Sequence, residues 1–381
     1  MSDTTTPGPI PLVDLRAQYR DIQAELDVAI RDVLERGDFI LGSAVERFEA
    51  AYADFIGVRH CVGVASGTDA LALALRAMDI GPGDKVLVPA NTFIATALAV
   101  TMCGATPVLA DVEPSTLTLD VEAARRALPG RLSAIIPVHL YGQPADMAAV
   151  LELAKEKGVA VLEDAAQAHG AVHADGRCGA LGLASAFSFY PGKNLGAYGD
   201  GGAVCTNDAG VAERLRLLRN WGSTVKYLHP IQGFNSRLDT IQAAVLATKL
   251  PRLERWNEQR RAIVADYRDA LEPLNAVVDC VTEAPWTVRH AYHLFVIRLR
   301  THDRDAVLSG LHRRGIGAGV HYPIPIHLQG AYADMGKGPG SFPVAEDAAR
   351  RVLSLPLFPE MTAQDVGRVV DALGQVIAEL Q

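Results

Sequence analysis

From Cys61 to Thr206 the chain repeats one unit: a short apolar run, a polar or glycine-rich turn, then a stretch with helical spacing. Cys61–Ala65 (CVGVA) leads into Ser66-Gly67-Thr68, and Lys85–Pro89 (KVLVP) leads into Ala90-Asn91-Thr92-Phe93. Thr106–Ala110, Ala134–Pro137, Val159–Leu162, Ala186–Phe189 and Gly202–Thr206 continue the series. Near-continuous apolar strands separated by helices predict a mostly parallel sheet covered on both faces. In such a sheet ligands lie beyond the carboxyl ends of the strands, so the turns after the apolar runs are the places to look for chemistry.

Around this segment the pattern changes. Gln18–Arg36 carries Ile22, Leu26, Ile30 and Leu34 at helical spacing, with Gly37 as a stop. Arg252–Leu271 reads as one long helix ended by Pro273, His293–Arg298 alternates as a half-exposed strand, and Arg304–Arg313 and Thr362–Leu380 read as helices. We expect a large domain over residues 1–250 and a smaller C-terminal α/β domain over 251–381. The formal net charge of −8 argues against a nucleic-acid surface. The five cysteines form no CxxC or Cys/His cluster, which fits reduced thiols in a cytoplasmic protein without a metal site. The opening Met1–Pro11 is polar, with neither a basic nor an apolar leader region, and no apolar run is long enough to span a membrane.

Four turn segments carry candidate chemistry. Ser66-Gly67-Thr68-Asp69 is either a phosphate cradle at a helix start or a simple N-cap. Glu163-Asp164 ends an apolar run. These acids could bind a metal, transfer protons, cap a helix, or, in the case of Asp164, keep a cofactor's ring nitrogen protonated. Lys193 sits in the Pro/Gly-bent loop Phe187–Asn194, where desolvation would free its amine as a nucleophile. Ser188 offers a hydroxyl to the same cradle. Gly233–Asp239, with Arg237 and Asp239, reads equally as a turn and a helix cap.

Taken in order, SGTDAL, TFIATA, EDAAQAHGA, FSFYPGKN, GDGGAV and NSRLDTIQAAVL resemble the DegT/StrS sugar aminotransferases from about Pro11 to about Pro359. That family belongs to the fold type I enzymes of pyridoxal 5′-phosphate, with an aspartate-aminotransferase-like α/β fold. The resemblance implies that Lys193 holds the cofactor as a Schiff base and returns as the proton-transferring base. It implies that Asp164 pairs with the pyridine nitrogen, Gln167 contacts the 3-hydroxyl oxygen and Phe93 stacks on the ring. Gly67, Thr68 and Ser188 would hold the phosphate, joined by Asn235 from a neighbouring subunit, so a homodimer with shared sites is expected. The donor would be L-glutamate and the acceptor a nucleotide keto-sugar. The stretches Lys193–Gly202, Lys226-Tyr227 and His321–Gln329 most resemble the branch acting on dTDP-3-keto-6-deoxyhexoses, with UDP-linked 3-keto uronic acids or a 4-keto sugar as alternatives. Tyr198, Arg237, His321 and His327 are the substrate-side candidates. His169 is read as structural, and Trp221, Trp256 and Trp286 as packing residues. The related dehydratases replace the lysine or carry clustered cysteines, unlike this chain. A non-catalytic pyridoxal-phosphate-binding regulator is the remaining rival.

Overall fold

The computed structural model describes residues 8–127 and 131–380; the polar start up to Pro7 lies outside them. Helix α1 (Leu15–Arg36) and helix α2 (Ser43–Ile56) precede the first strand. Strands β1 (His60–Val64), β2 (Lys85–Pro89), β3 (Thr106–Ala110), β4 (Ala134–Ile135) and β5 (Ala160–Asp164) come next. A small hairpin, β6 (Val172–His173) and β7 (Gly176–Arg177), separates them from β8 (Ala184–Ser188) and β9 (Gly202–Thr206). Between these strands run α3 (Gly67–Ala77), α4 (Ile94–Met102), α5 (Val121–Ala127) and α6 (Met147–Lys157), and α7 (Ala209–Arg219) and α8 (Thr240–Lys249) follow β9.

The central sheet has the order β1-β9-β8-β5-β4-β2-β3. Only β9 runs against its neighbours β1 and β8; the other pairings are parallel. Strand residues alternate between the two faces. Val62, Val64, Val86, Val88, Leu162, Ala186 and Val204 join one core with α3, α4 and α7. Leu87, Ile135 and Val161 face α6, while Cys61, Phe187 and Cys205 face α2 and α8. Both faces are therefore dry, which is why the sequence shows apolar runs instead of alternation. The five cysteines are all unpaired thiols, four of them buried.

The long helix α9 (Leu253–Leu271) leads to a second, antiparallel sheet. Its strands are β10 (Val278–Cys280), β12 (Phe295–Leu299) and β13 (Val352–Leu355), in the order β10-β12-β13. Strand β11 (Thr287–Arg289) turns back and pairs with β6. Helices α10 (Arg304–Arg313) and α12 (Ala363–Glu379) pack on the second sheet together with α9, whereas α11 (Pro343–Arg351) leads into β13. Ile10, at the other end of the chain, is also part of this second core. Among the described residues no helix is long and apolar enough to cross a membrane, and no cluster of metal-ligating side chains is present.

Candidate active site

Strands β1, β2, β5 and β8 point the same way, so their carboxyl ends meet at one edge of the sheet. A cavity of about 440 Å³ opens there. After β1 the chain enters α3, whose N-cap is Ser66; its hydroxyl accepts from the Asp69 amide at 3.1 Å. The first turn of α3 thus presents free backbone N–H groups and the positive end of the helix to the cavity. A methyl group on Gly67 would stand 2.5 Å from the Ser188 Cβ, so only glycine lets the two segments meet. Gly67, Thr68 and Ser188 all line the cavity.

Glu163 and Asp164 point to opposite faces of β5, and this separates their chemistry. Glu163 is fully buried and accepts from the amides of Gly179, Leu181 and Gly182 and from His139 Nε2 at 2.9 Å. It is a structural anchor behind the site. Asp164 faces the cavity, 5% exposed; it accepts from the Thr96 hydroxyl at 2.8 Å and the Ala166 amide at 3.2 Å. Burial pushes its carboxyl upward, against the pull of those hydrogen bonds and of Lys193. The Lys193 amine is lowered to about 8, because its burial outweighs the opposing attraction of Asp164. The pair therefore combines an amine that gives up its proton more readily than an ordinary lysine with a carboxylate that a cationic partner would hold ionised.

Gln167 and Phe93 frame the cavity between them. Gln167 accepts from the Tyr141 amide at 2.6 Å and donates to the Tyr322 hydroxyl at 2.9 Å. The Phe93 ring is half-exposed and lies 5.4 Å from that of Tyr322. His321 reaches the cavity wall and is held by Ser354 at 2.8 Å, its imidazole lowered to about 4 by burial and then by Lys193. His169 is buried against Phe187 and Phe189.

Four of the expected residues are not brought to this cavity. His327 is sequestered in the core, bonded to Glu346 at 3.0 Å and edge-on to Phe342, which corrects its reading as a substrate contact. Tyr198 lies over Lys249 on the far side of the lysine loop. Asn235 is exposed, and Arg237 bonds Asn220 at 3.1 Å. Trp221 is likewise no packing residue, being 49% exposed. Conversely, Thr96, His293 and Tyr322 line the site without having been singled out. Tyr322 and Thr96 lay in flagged stretches, Thr96 within TFIATA; His293 carries no local signal, because a loop histidine is an ordinary residue.

An anion cradle, a flanking aromatic ring, a buried carboxylate and a lowered amine share one cavity, and this set of groups fits a phosphorylated pyridine aldehyde. The site is that of an enzyme using such a group. The sequence profile of the DegT/DnrJ/EryC1/StrS aminotransferase family matches residues 20–374, and the chain belongs to that family. The dTDP-3-amino-3,4,6-trideoxy-alpha-D-glucose transaminase of Streptomyces venezuelae is 49% identical over 98% of this chain and 97% of its own. The UDP-N-acetyl-3-dehydro-alpha-D-glucosamine 3-aminotransferase of Acidithiobacillus ferrooxidans is 45% identical, over 97% and 98%. The crystal structure of S. venezuelae DesV in complex with a ketimine intermediate superposes with a TM-score of 0.93 at 48% identity, covering 97% of this chain and 98% of DesV.

Proposed function

We propose that this aminotransferase moves an amino group from L-glutamate to C3 of a nucleotide-linked 3-keto sugar, a dTDP-3-keto-6-deoxyhexose foremost. Pyridoxal 5′-phosphate is its cofactor and supplies an electron sink for the carbon that loses its proton. The observation that carries this reading is the convergence of Lys193, Asp164 and the Gly67–Ser188 cradle in one cavity. In it, Lys193 would hold the cofactor, and its amine would serve as the base that moves the proton. Asp164, oriented by Thr96 and the Ala166 amide, holds the proton on the ring nitrogen. Thr68, Ser188 and the free amides of α3 bind the phosphate, while Phe93 covers the ring. Gln167, which donates to Tyr322, would hold the ring oxygen. His321 stands on the substrate side of the cavity. Relatives naming both dTDP and UDP sugars support the sugar-carbon assignment more strongly than the nucleotide. A UDP-linked 3-keto uronic acid is the second substrate to try.

We further propose a cytoplasmic homodimer, with the 1–250 part forming the cofactor domain and 251–381 the smaller one. Asn235 and Arg237, outside the cavity of their own subunit, would complete the partner's. The segment around them exposes Trp221, Tyr227, Leu228 and Phe234 together, a patch that a partner would cover. The decisive experiment is spectroscopic. L-glutamate should bleach the visible absorbance of the loaded protein and the keto-sugar nucleotide should restore it. K193A should lack the lysine-linked band altogether. A K193A protein with the wild-type spectrum overturns the assignment.

A further inference from the structure

Lys249, the last residue of α8, is 0% exposed. Buried lysines normally have a carboxylate beside them. This one instead donates to the Gly196 carbonyl at 2.7 Å and lies 4.0 Å from the centre of the Tyr198 ring. Among the described residues it has no ion-pair partner, and burial alone lowers its amine to about 7. A desolvated amine in such a place costs stability, so its contacts are where its value must lie. Both contacts fall on the loop that follows Lys193.

That loop is short and tightly closed. The Lys193 amide donates to the Tyr190 carbonyl and the Ala197 amide to Phe189, each at 2.8 Å. A side chain on Gly196 would meet the Pro191 carbonyl oxygen at 2.2 Å, so the two limbs touch with Lys193 at the bend. One flank is gripped by α9: Asn194 donates to Asn257 at 2.8 Å and to the Ala291 carbonyl at 2.7 Å. The other flank is gripped by α8. Besides Lys249, Gln242 accepts from the Tyr198 amide at 2.8 Å and donates to its carbonyl at 3.4 Å. Residues 242 and 249 are seven apart and so share one helix face.

We infer that Lys249, assisted by Gln242, is a positioning residue: the face of α8 clamps Gly196 and Tyr198 and thereby aims the Lys193 amine into the cavity. The inference rests on Lys193 being the cofactor-bearing lysine. Neither α8 residue touches the reacting atoms. Their effect is geometric, and small displacements of a catalytic group lower rate more than affinity.

The test compares K249M and Q242A with wild type, each rate normalised to bound cofactor. K249M, which keeps the unbranched chain as far as Cε but cannot donate, should lower kcat about tenfold at a donor KM within about twofold. Amide exchange across residues 194–199 should be about tenfold faster in the same protein. K249R, which still donates, should recover kcat to within about threefold of wild type. A merely structural lysine predicts a lower Tm with kcat and exchange unchanged, and that result overturns the proposal. Should K249M fail to fold, Q242A decides: it removes only the partly exposed half of the clamp and should show the same pairing of lower kcat and faster exchange, whereas wild-type values for both overturn it. Borohydride reduction followed by peptide mapping separates the two assignments. A pyridoxyl label on Lys249 would sink the Lys193 reading, while a label on Lys193 with unchanged K249M kinetics would sink only the clamp.

Discussion

Two lysines in this chain have lost their water, and the surroundings give each a different use. Lys193 faces a cavity and Lys249 faces a carbonyl and a ring. The pH dependence of the first can be worked out. With an amine at about 8 in the folded, cofactor-free protein against 10.5 for an ordinary lysine, the nucleophilic fraction rises with pH and levels off above about 8. Capture of added pyridoxal 5′-phosphate, followed by stopped-flow absorbance, should rise about tenfold per pH unit below that point and flatten above it. The stability linkage has the matching sign. Between about 8 and 10.5 the unfolded chain holds a proton that the folded one has released, so stability rises with pH across that window. Comparing urea midpoints of the cofactor-free wild type and K193M isolates this contribution. At the same scale the sequence left Glu163 and Asp164 with overlapping roles. The resemblance picked out Asp164, and the directions of the two side chains on β5 agree: Asp164 lines the cavity while Glu163 turns away to the amides of Gly179, Leu181 and Gly182.

At the scale of elements, the helices were legible because their ends are chemical. Gly37 closes α1 in the left-handed conformation at φ 70°, and Asp303 caps α10 by accepting from the Ala306 amide. Thr362 opens α12 with a reciprocal capping box: it accepts from the Asp365 amide at 3.2 Å, and Asp365 accepts from the Thr362 amide at 3.0 Å. T362A should lower unfolding free energy by about 1 kcal/mol in a denaturant titration. It should leave kcat unchanged, since α12 packs on the second sheet away from the cavity. The strand expected over His293–Arg298 begins later, at Phe295. His293 instead lines the cavity and meets Asn194 at 3.3 Å. Alternation of residue types could not reveal this shift, because tertiary contacts draw His293 and Leu294 out of the ladder, Leu294 donating its amide to the Tyr141 carbonyl.

At the scale of the molecule, Asn235 and Arg237 do not line the cavity of their own subunit. If they serve the partner's site, mixed dimers report it directly. K193A and N235A proteins, each of low activity, are unfolded together, refolded and reloaded with cofactor. Half of the dimers should be mixed, each with one intact site, so about a quarter of wild-type activity should return. No recovery, with mixed dimers demonstrated by mass, would place Asn235 outside the shared site.

Sequence alone determined the covered parallel sheet, the helix boundaries set by caps, and the turn motifs whose order resembles the aminotransferases. All of these are written in local periodicity and in residues such as Gly67 and Lys193 that few backbones can exchange. Tertiary structure alone decided that His327 is a core residue, that Thr96, His293 and Tyr322 belong to the cavity, and that Lys249 lies beneath the lysine loop. Their roles depend on which distant segment packs against them, and a contact between residues 53 positions apart, such as Lys249 with Gly196, leaves no trace in the sequence around either one.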